Sequence, residues 1–474
     1  MASLLSKEKR TIYLRRISQF WEEYRSKRIG MLGLVLIILY AGIAVFAPLL
    51  TPYSPVRQGR LAQAFAMPSW VTIFPPFADY GRTQEITLNW NAEEGSQFVT
   101  GGWGTSVGIQ YEAEHMQLVK VELGANFSFT DRCPNEFYQR FTYEATNISN
   151  VEYALSMKLH APDGEEYLFW RSDALDVEKS QLVSADSKDP LFIERLGFEL
   201  QQNVGNAIFS EKGSYYFTLV IQFRPLSKSA AAHVEIKDCK LVILGRVHGI
   251  LGTDYLAKDI WTHLLYGARI SLIVGLLAAV VGTSIGLLVG VISGYIGGIT
   301  DEALMRVVDI LLCLPLLPLL LALIHQYGRN VYYIVVFIAI FGWQGLSRII
   351  RSQTLSIRET PYIESARASG ASGFYIMRRH IVPNIVPVAF ASMILAVPSA
   401  ILFEAALSFL GFGDPRVITW GMMLQHAFGF GGFSFLAWWW IIPPGLAIIG
   451  ICLAFVFVGH AFDEIVNPRL RRRR

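Results

Sequence analysis

At 474 residues, 53% of them hydrophobic and only 17% charged, the chain is more apolar than soluble globular domains allow. Its net charge of +3 conceals a division: residues 52–246 carry 17 basic and 24 acidic side chains, a net −7, and the remainder carries +10. The basic part flanks apolar runs and is not interleaved with aromatics, which argues against a nucleic-acid platform and for contact with anionic lipid.

A hydrocarbon core of roughly 30 Å needs about 20 helical residues to cross it. In chain order, residues 1–28 are basic and amphipathic and read as an interfacial cytoplasmic segment. Ile29–Leu50 is the first transmembrane helix; it is too long, and its basic prelude too extended, for a cleaved signal peptide. Five further spans are expected near Ile270–Ile296, Ala303–His325, Val331–Ile349, Ile385–Phe409 and Trp438–Gly459, within a core covering 247–474.

Between them the periodicity changes. From 66 to 246 the pattern is of alternating strands: Met116–Leu123, Phe137–Glu144, Tyr153–His160, Glu166–Trp170, Ser214–Phe223, and a last pair of strands within Ala231–Gly245. Ala161-Pro162-Asp163-Gly164 is a turn, because proline presets φ and glycine accepts φ > 0, and it joins two of these strands as a hairpin. The expected fold class is therefore an α-helical polytopic membrane protein with six transmembrane helices and an inserted all-β domain, a sandwich of jelly-roll type. Cys133 and Cys239 lie in the insertion and are candidate disulfide partners, with buried free thiols as the alternative. Asn126-Phe-Ser and Asn147-Ile-Ser fit an acceptor pattern that also arises commonly by chance.

Charge placement orients the spans. Eight Lys and Arg lie in residues 1–28, six between Arg348 and Arg379, and five in the tail 469–474, whereas loops of opposite parity hold few near the spans. The positive-inside rule puts both termini and the loop 350–384 in the cytoplasm, and the β-domain outside.

Several intramembrane features follow. Gly282, Gly286, Gly290 and Gly294 form a stripe at four-residue spacing that admits a second helix closely. Arg306 and Asp309, at i and i+3, read as a mutual pair near the headgroups or as groups on a substrate path. Pro315 and Pro318 kink or interrupt the third span. Glu404 faces a pore, snorkels or bonds to its neighbours.

The cytoplasmic stretch Pro361–Pro387 is polar and basic between apolar runs. Its first part reads as a short helix with Glu364 and Ala368 on one face and Ala366 keeping the surface small. Gly370 breaks it, and Phe374, Tyr375 and Ile376 offer an apolar knob suited to a groove on another protein. No G-x-x-x-x-G-K-S/T loop occurs, so ATP is expected on another chain. No metal-ligand spacing and no G-x-S-x-G elbow occurs, so no cofactor, metal or catalytic group is expected.

Glu364-Ser365-Ala366-x3-Gly370, followed by His380-Ile381-Val382-Pro383, resembles the coupling motif of ABC importer permeases, with Ser365, His380 and Val382 as departures. Leu251-Gly252-Thr253-Asp254 with Asp259, then Tyr266-Gly267-Ala268-Arg269-Ile270-Ser271-Leu272, is similar to the entry of the second span in C-type permeases of dipeptide, oligopeptide and nickel importers. So are Met305–Asp309, Glu404–Gly411, Pro444-Gly445-Leu446 and Asn467-Pro468-Arg469-Leu470. Tyr255–Lys258 departs from the family, which has Gly-Arg before Asp259. The resemblance is strong over 247–474, weak over 1–65 and absent over 66–246.

The resemblance implies a permease subunit in a cell membrane, partnered by a homologous second permease, two ABC ATPase subunits and an extracytoplasmic solute-binding protein. It implies ATPase coupling through Glu364, Ser365, Ala366, Ala368 and Gly370, with Pro383 fixing the exit toward the fifth span. Peptides lead as substrate; oligosaccharides and nickel chelates stay open. Glu404-Ala405-Ala406 with Gly411 spells part of the coupling motif, but its apolar surroundings put it in the membrane. Two other classes stay open: a membrane-anchored receptor whose β-domain does the work, and a secondary transporter using Asp309 or Glu404. The β-domain is expected to dock the binding protein, cover the pore entrance or bind a sugar-like ligand.

Overall fold

The structure is a computed structural model that describes residues 18–466, apart from 95, 102–105 and 114. The tail 469–474 and most of the basic segment 1–28 lie outside the described residues. The chain forms two compact units, one of the residues up to Arg57 with those from Ile260 onward, the other Gln58–Asp259.

In the first unit, Arg28–Leu50, Ile260–Ile296, Val331–Arg358, Gly373–Phe412 and Trp438–Val466 are long and apolar enough to cross a membrane. Gly298–Cys313 and Leu316–Tyr327 make the sixth candidate as a pair bent by 87°. The bend has a local cause. Leu314 precedes a proline and is extended (φ −76°, ψ 132°), as the proline ring requires of its predecessor. Pro315 then caps the next helix, and Pro318 falls in its first turn, where a missing N–H costs no helical hydrogen bond. Only the first proline therefore interrupts the span.

The second span starts at Ile260, ten residues before the charge-free run, because its first turns bury polar side chains. Thr262 among them shares a 2.6 Å hydroxyl hydrogen bond with Thr51. The glycine stripe does what its spacing predicts, and its partner is the fourth span. A Cβ added at Gly286 would lie 2.9 Å from the Trp343 carbonyl oxygen, and one at Gly290 2.6 Å from that of Ser347. The fourth span is itself broken between Val331–Ile340 and Gln344–Arg358, a feature without a proline and invisible to hydropathy. A short helix, Trp420–Gly429, lies between the fifth and sixth spans.

Among the described residues the second unit has eleven strands, all paired antiparallel: β1 (Gln84–Thr87), β2 (Asn91–Glu94), β3 (Val99–Gly101), β4 (Val107–Glu112), β5 (Val119–Phe129), β6 (Glu136–Ser149), β7 (Val151–His160), β8 (Glu166–Arg171), β9 (Lys179–Asp186), β10 (Gly213–Pro225) and β11 (Ala231–Leu244). One sheet runs β3-β4-β11-β6-β9, with β1 also on β11; the other runs β2-β5-β10-β7-β8. Within these, β4-β11-β6-β9 facing β5-β10-β7-β8 is the strand order of a jelly roll.

Alternation explains the layering. β7 buries Tyr153, Leu155, Met157 and Leu159 and turns the residues between outward. A core of large aromatics, including Trp90, Tyr111, Phe137, Phe141, Phe169 and Phe217, fills the space between the sheets. The β7–β8 hairpin forms as expected, with Gly164 at φ +89° and His160 opposite Glu166. The expected last pair of strands is instead one strand: β11 runs through a bulge at 237–240, where Asp238 takes φ +51°.

Candidate functional site

The loop between the fourth and fifth spans is ordered around one small apolar cluster. Pro361 opens a helix over Pro361–Ala368, as its preset φ and missing N–H favour at a first helical position. Ile363 is the buried residue of that helix, and it packs with Val291, Ile350, Ile376, Ile381 and Ile385. The helix ends at Gly370 in the left-handed region (φ +82°), with Gly370 N–H donating to Arg367 C=O and Ala371 N–H to Ala366 C=O. The Ser372 hydroxyl then caps a single turn, Gly373–Ile376, by accepting from Tyr375 N–H. A wide turn over Met377–Ile381 leads into Val382–Leu407, with Pro383 exposed in its first turn.

Anchored by its isoleucines, the segment presents Glu364, Ser365, Ala368 and Gly370 outward. Ala366 is half-buried against the apolar cluster, so it supports this helix more than it offers surface. Among the described residues Phe374 and Tyr375 are 70% and 53% exposed and present large apolar surfaces. An aromatic-tipped segment anchored in this way suits insertion into a protein groove.

Ion pairs brace the helices that carry it. Asp301 receives Arg351 in a two-point contact, 2.5 Å at both oxygens, and also the Ser293 hydroxyl, so spans two, three and four meet at one carboxylate. Arg358 donates to the Tyr295 carbonyl at 3.0 Å. Charge spacing along one span does not reveal Asp301, because its partners come from other helices.

Arg306 and Asp309 do not pair with each other. Asp309 pairs with Arg348 of the fourth span, and Arg306 reaches back one turn to Glu302 at 3.7 Å. The correction follows from side-chain direction, since helical side chains lean toward the N-terminus and Arg306 meets the residue at i−4.

A cavity of about 310 Å³ opens where the helices are interrupted. Leu312 and Leu316 border it at the bend of the third span, and Phe341–Leu346 at the break in the fourth. Ala278, Gly282, Ser392, Ser399 and Phe403 complete much of the wall. No charged side chain lines it; its wall is aliphatic and aromatic, with the hydroxyls of Thr283, Ser392 and Ser399 and the side chain of Gln344 as polar groups. Broken backbone at membrane depth is tolerated where it lines a cavity. Glu404 stands outside this wall: it is 1% exposed and accepts from the Ser408 hydroxyl at 2.7 Å.

The candidate disulfide does not form: both thiols are free. Cys239 is buried in the sandwich core, where Gln139 donates to its sulfur at 3.4 Å, and burial pushes its thiol up to about 12. Cys133 instead lies against the Ser210 carbonyl. Among the described residues no cluster of His, Cys, Asp and Glu has the make-up of a metal site.

Residues 286–472 match the family described as binding-protein-dependent transport system inner membrane component, and 16–68 match the N-terminal TM domain of oligopeptide transport permease C. The dipeptide transport system permease protein DppC of Bacillus subtilis (strain 168) is 36% identical over 222 residues, spanning 47% of this chain and 69% of the relative. The chain belongs to this family of inner-membrane transport permeases. The permease is also 40% identical over 221 residues to the oligopeptide transport system permease protein OppC of Escherichia coli (strain K12), covering 46% of this chain and 72% of that one. A solved structure of the MetNI methionine ABC transporter in an inward-facing form aligns with 44% of the permease and 95% of its own chain, at 19% identity and a TM-score of 0.36. As a member of this family the permease is a non-catalytic, multi-pass inner-membrane component.

Proposed function

We propose that the permease is the C-type transmembrane subunit of an ABC importer for di- or oligopeptides, and that Pro361–Ile376 is where it meets an ATPase subunit. The observation that carries this reading is the projection itself: a helix held by Ile363 and Ile376 that exposes Glu364, Ser365, Ala368, Phe374 and Tyr375 between two spans. A separate chain must supply ATP hydrolysis, because no phosphate-cradling loop is present in this one. Closure of the ATPase pair would push on Glu364–Gly370, and the Asp301–Arg351 contact would pass that displacement to spans two, three and four.

The basic residues of the loop and of the N-terminal segment support a cytoplasmic position for both. The β-unit is then extracytoplasmic, on the side of the membrane from which a solute-binding protein would deliver substrate. The neutral cavity forms this subunit's half of the path, and a second permease supplies the other half. Absence of fixed charge there suits ligands of varied side chain, which is why peptides rank ahead of a nickel chelate. Peptide transport is also what the names of the relatives state of themselves.

The test is uptake into proteoliposomes holding the permease with its companion permease, ATPases and binding protein. ATP-dependent accumulation of a labelled di- or tripeptide, not reduced by excess oligosaccharide or nickel chelate, is expected. Uptake of sugar or nickel with no peptide uptake would refute the substrate assignment, and a permease that functions without any ATPase would refute the importer.

A further inference from the structure

At the end of the second span opposite the coupling segment, a groove of about 270 Å³ lies between the first turns of Ile260–Ile296 and the loop before Trp420. Its walls are apolar, chiefly Ile270, Ile273 and Ile418, and its rim carries Arg269 and Arg416. Two guanidinium groups beside aliphatic walls form an unusual pairing. Arginine remains protonated at any working pH, so the rim is permanently cationic.

The charges are not cancelled locally. Arg416 makes a two-point contact with Asp414, 2.9 Å at both oxygens, while its side chain stays 69% exposed. Arg269 has no carboxylate partner among the described residues; its guanidinium lies 5.9 Å from the centre of the Tyr266 ring. The groove therefore holds two positive charges against one negative.

The position of the arginines fixes the depth. No Asp, Glu, Lys or Arg occurs in 270–300, so Arg269 is the last charge before the hydrocarbon-compatible run of the second span, and Arg416 lines the same groove beside it. Tyr266 beside them is the kind of aromatic enriched at headgroup level. Below Arg269 the wall continues without interruption into the exposed apolar stripe Ile273, Leu277 and Val280 of the same helix. Charge at the top and continuous apolar surface beneath are complementary to one molecule that has both.

We propose that this groove binds an anionic phospholipid, its phosphodiester held by Arg269 and Arg416 and one acyl chain lying along Ile273 and Ile418. Guanidinium donors match phosphate oxygens in geometry and charge. The site would tie the outer end of the second span to the loop that precedes Trp420, where the Trp420 indole N–H already donates to the Leu264 carbonyl at 3.0 Å.

The experiment is native mass spectrometry of the full permease in detergent, titrated in parallel with dioleoyl phosphatidylglycerol and dioleoyl phosphatidylcholine. A preferential phosphatidylglycerol adduct is expected. Arg269→Gln should weaken it about fivefold, the order of one basic group near a lipid surface. Ile273→Trp, which fills the apolar part and keeps both charges, should also remove it, so the proposal stays testable where either variant folds poorly. Three results would overturn it. The two lipids bind equally; the preference survives both substitutions; or glycerol phosphate alone displaces the lipid, which makes the ligand a soluble anion. Efficient cross-linking of Ile273→Cys to the companion permease in the assembled importer would likewise replace lipid by protein as the occupant.

Discussion

The contact between the second and fourth spans can be tested by a graded series of glycine-to-alanine changes. Replacing a mid-helix glycine with alanine contributes about 0.5–1 kcal/mol through backbone entropy when space is available. At Gly42 nothing lies within 4 Å of the added Cβ, so that gain should appear in full. At Gly282 the nearest atom is the Ala339 carbonyl oxygen at 3.3 Å, a slight compression that should about cancel it. At Gly290 the Cβ would stand 2.6 Å from the Ser347 carbonyl oxygen and 2.7 Å from the Ile350 Cβ, and the first of these is backbone that moves only if the helix moves. Overpacking of this kind costs roughly 1–3 kcal/mol, which leaves Gly290→Ala destabilised by about 1–2 kcal/mol after the entropic gain. Thermal unfolding of the full chain in detergent should thus rank Gly42→Ala above wild type, Gly282→Ala near it and Gly290→Ala several degrees below. If Gly290→Ala melts with or above Gly42→Ala, the close packing of these two spans is wrong.

Other consequences can be checked with less elaborate work. Asp254 accepts from the Leu256 and Lys258 N–H groups, both at 2.9 Å, yet burial raises its pKa from 3.8 to about 6. A raised carboxyl favours the folded state only while protonated, so this contribution is complete below about pH 4 and lost as pH rises through about 6. Asp254→Asn keeps the acceptor oxygen, and its melting temperature relative to wild type should climb between pH 4 and pH 7; a flat difference would contradict the assignment. Alkylation of the denatured, unreduced chain should label four thiols, since none is bridged, and in the folded chain Cys239 should be protected. Asp301→Asn should lower stability by about 1–3 kcal/mol by leaving Arg351 without its carboxylate, and adding Arg351→Gln should recover part of that loss in a double-mutant cycle.

Legibility from the sequence varied with how local the determining physics is. Span existence, the glycine stripe and the β7–β8 hairpin rest on composition or spacing within one segment, and all three were readable. Strand alternation discloses a sandwich because strands such as β4 and β7 bury alternate residues against the opposite sheet. The break at Phe341–Trp343 is not legible from hydropathy: it has no proline, and its apolar residues continue the run on both sides. The Asp309–Arg348 pair is not legible in the sequence, because Arg348 is 39 residues away and adjacent only after folding. In the coupling segment, the exposure of Glu364 and Ala368 followed from their i, i+4 spacing, whereas the inward turn of Ala366 depended on where Ile363 found its cluster. Cys133 and Cys239 matched in compartment and number, but strand register, which sequence alone does not fix, sends one sulfur into the core and the other to the Ser210 carbonyl.

Mechanical coupling through the loop at 361–376 is the centre of the account, and binding-protein-stimulated ATP hydrolysis by the assembled importer measures it most directly. Gly370 sits at φ +82°, where a β-carbon costs about 1–2 kcal/mol, but no atom within 4 Å obstructs a side chain, so Gly370→Asp should alter the projecting surface without disturbing the cluster beneath it. The account predicts that the Gly370→Asp complex loses most of its stimulated hydrolysis and its peptide uptake, while the permease itself stays folded in the membrane. Full stimulation and uptake with Gly370→Asp, or with Glu364 and Phe374 both replaced by alanine, would contradict it.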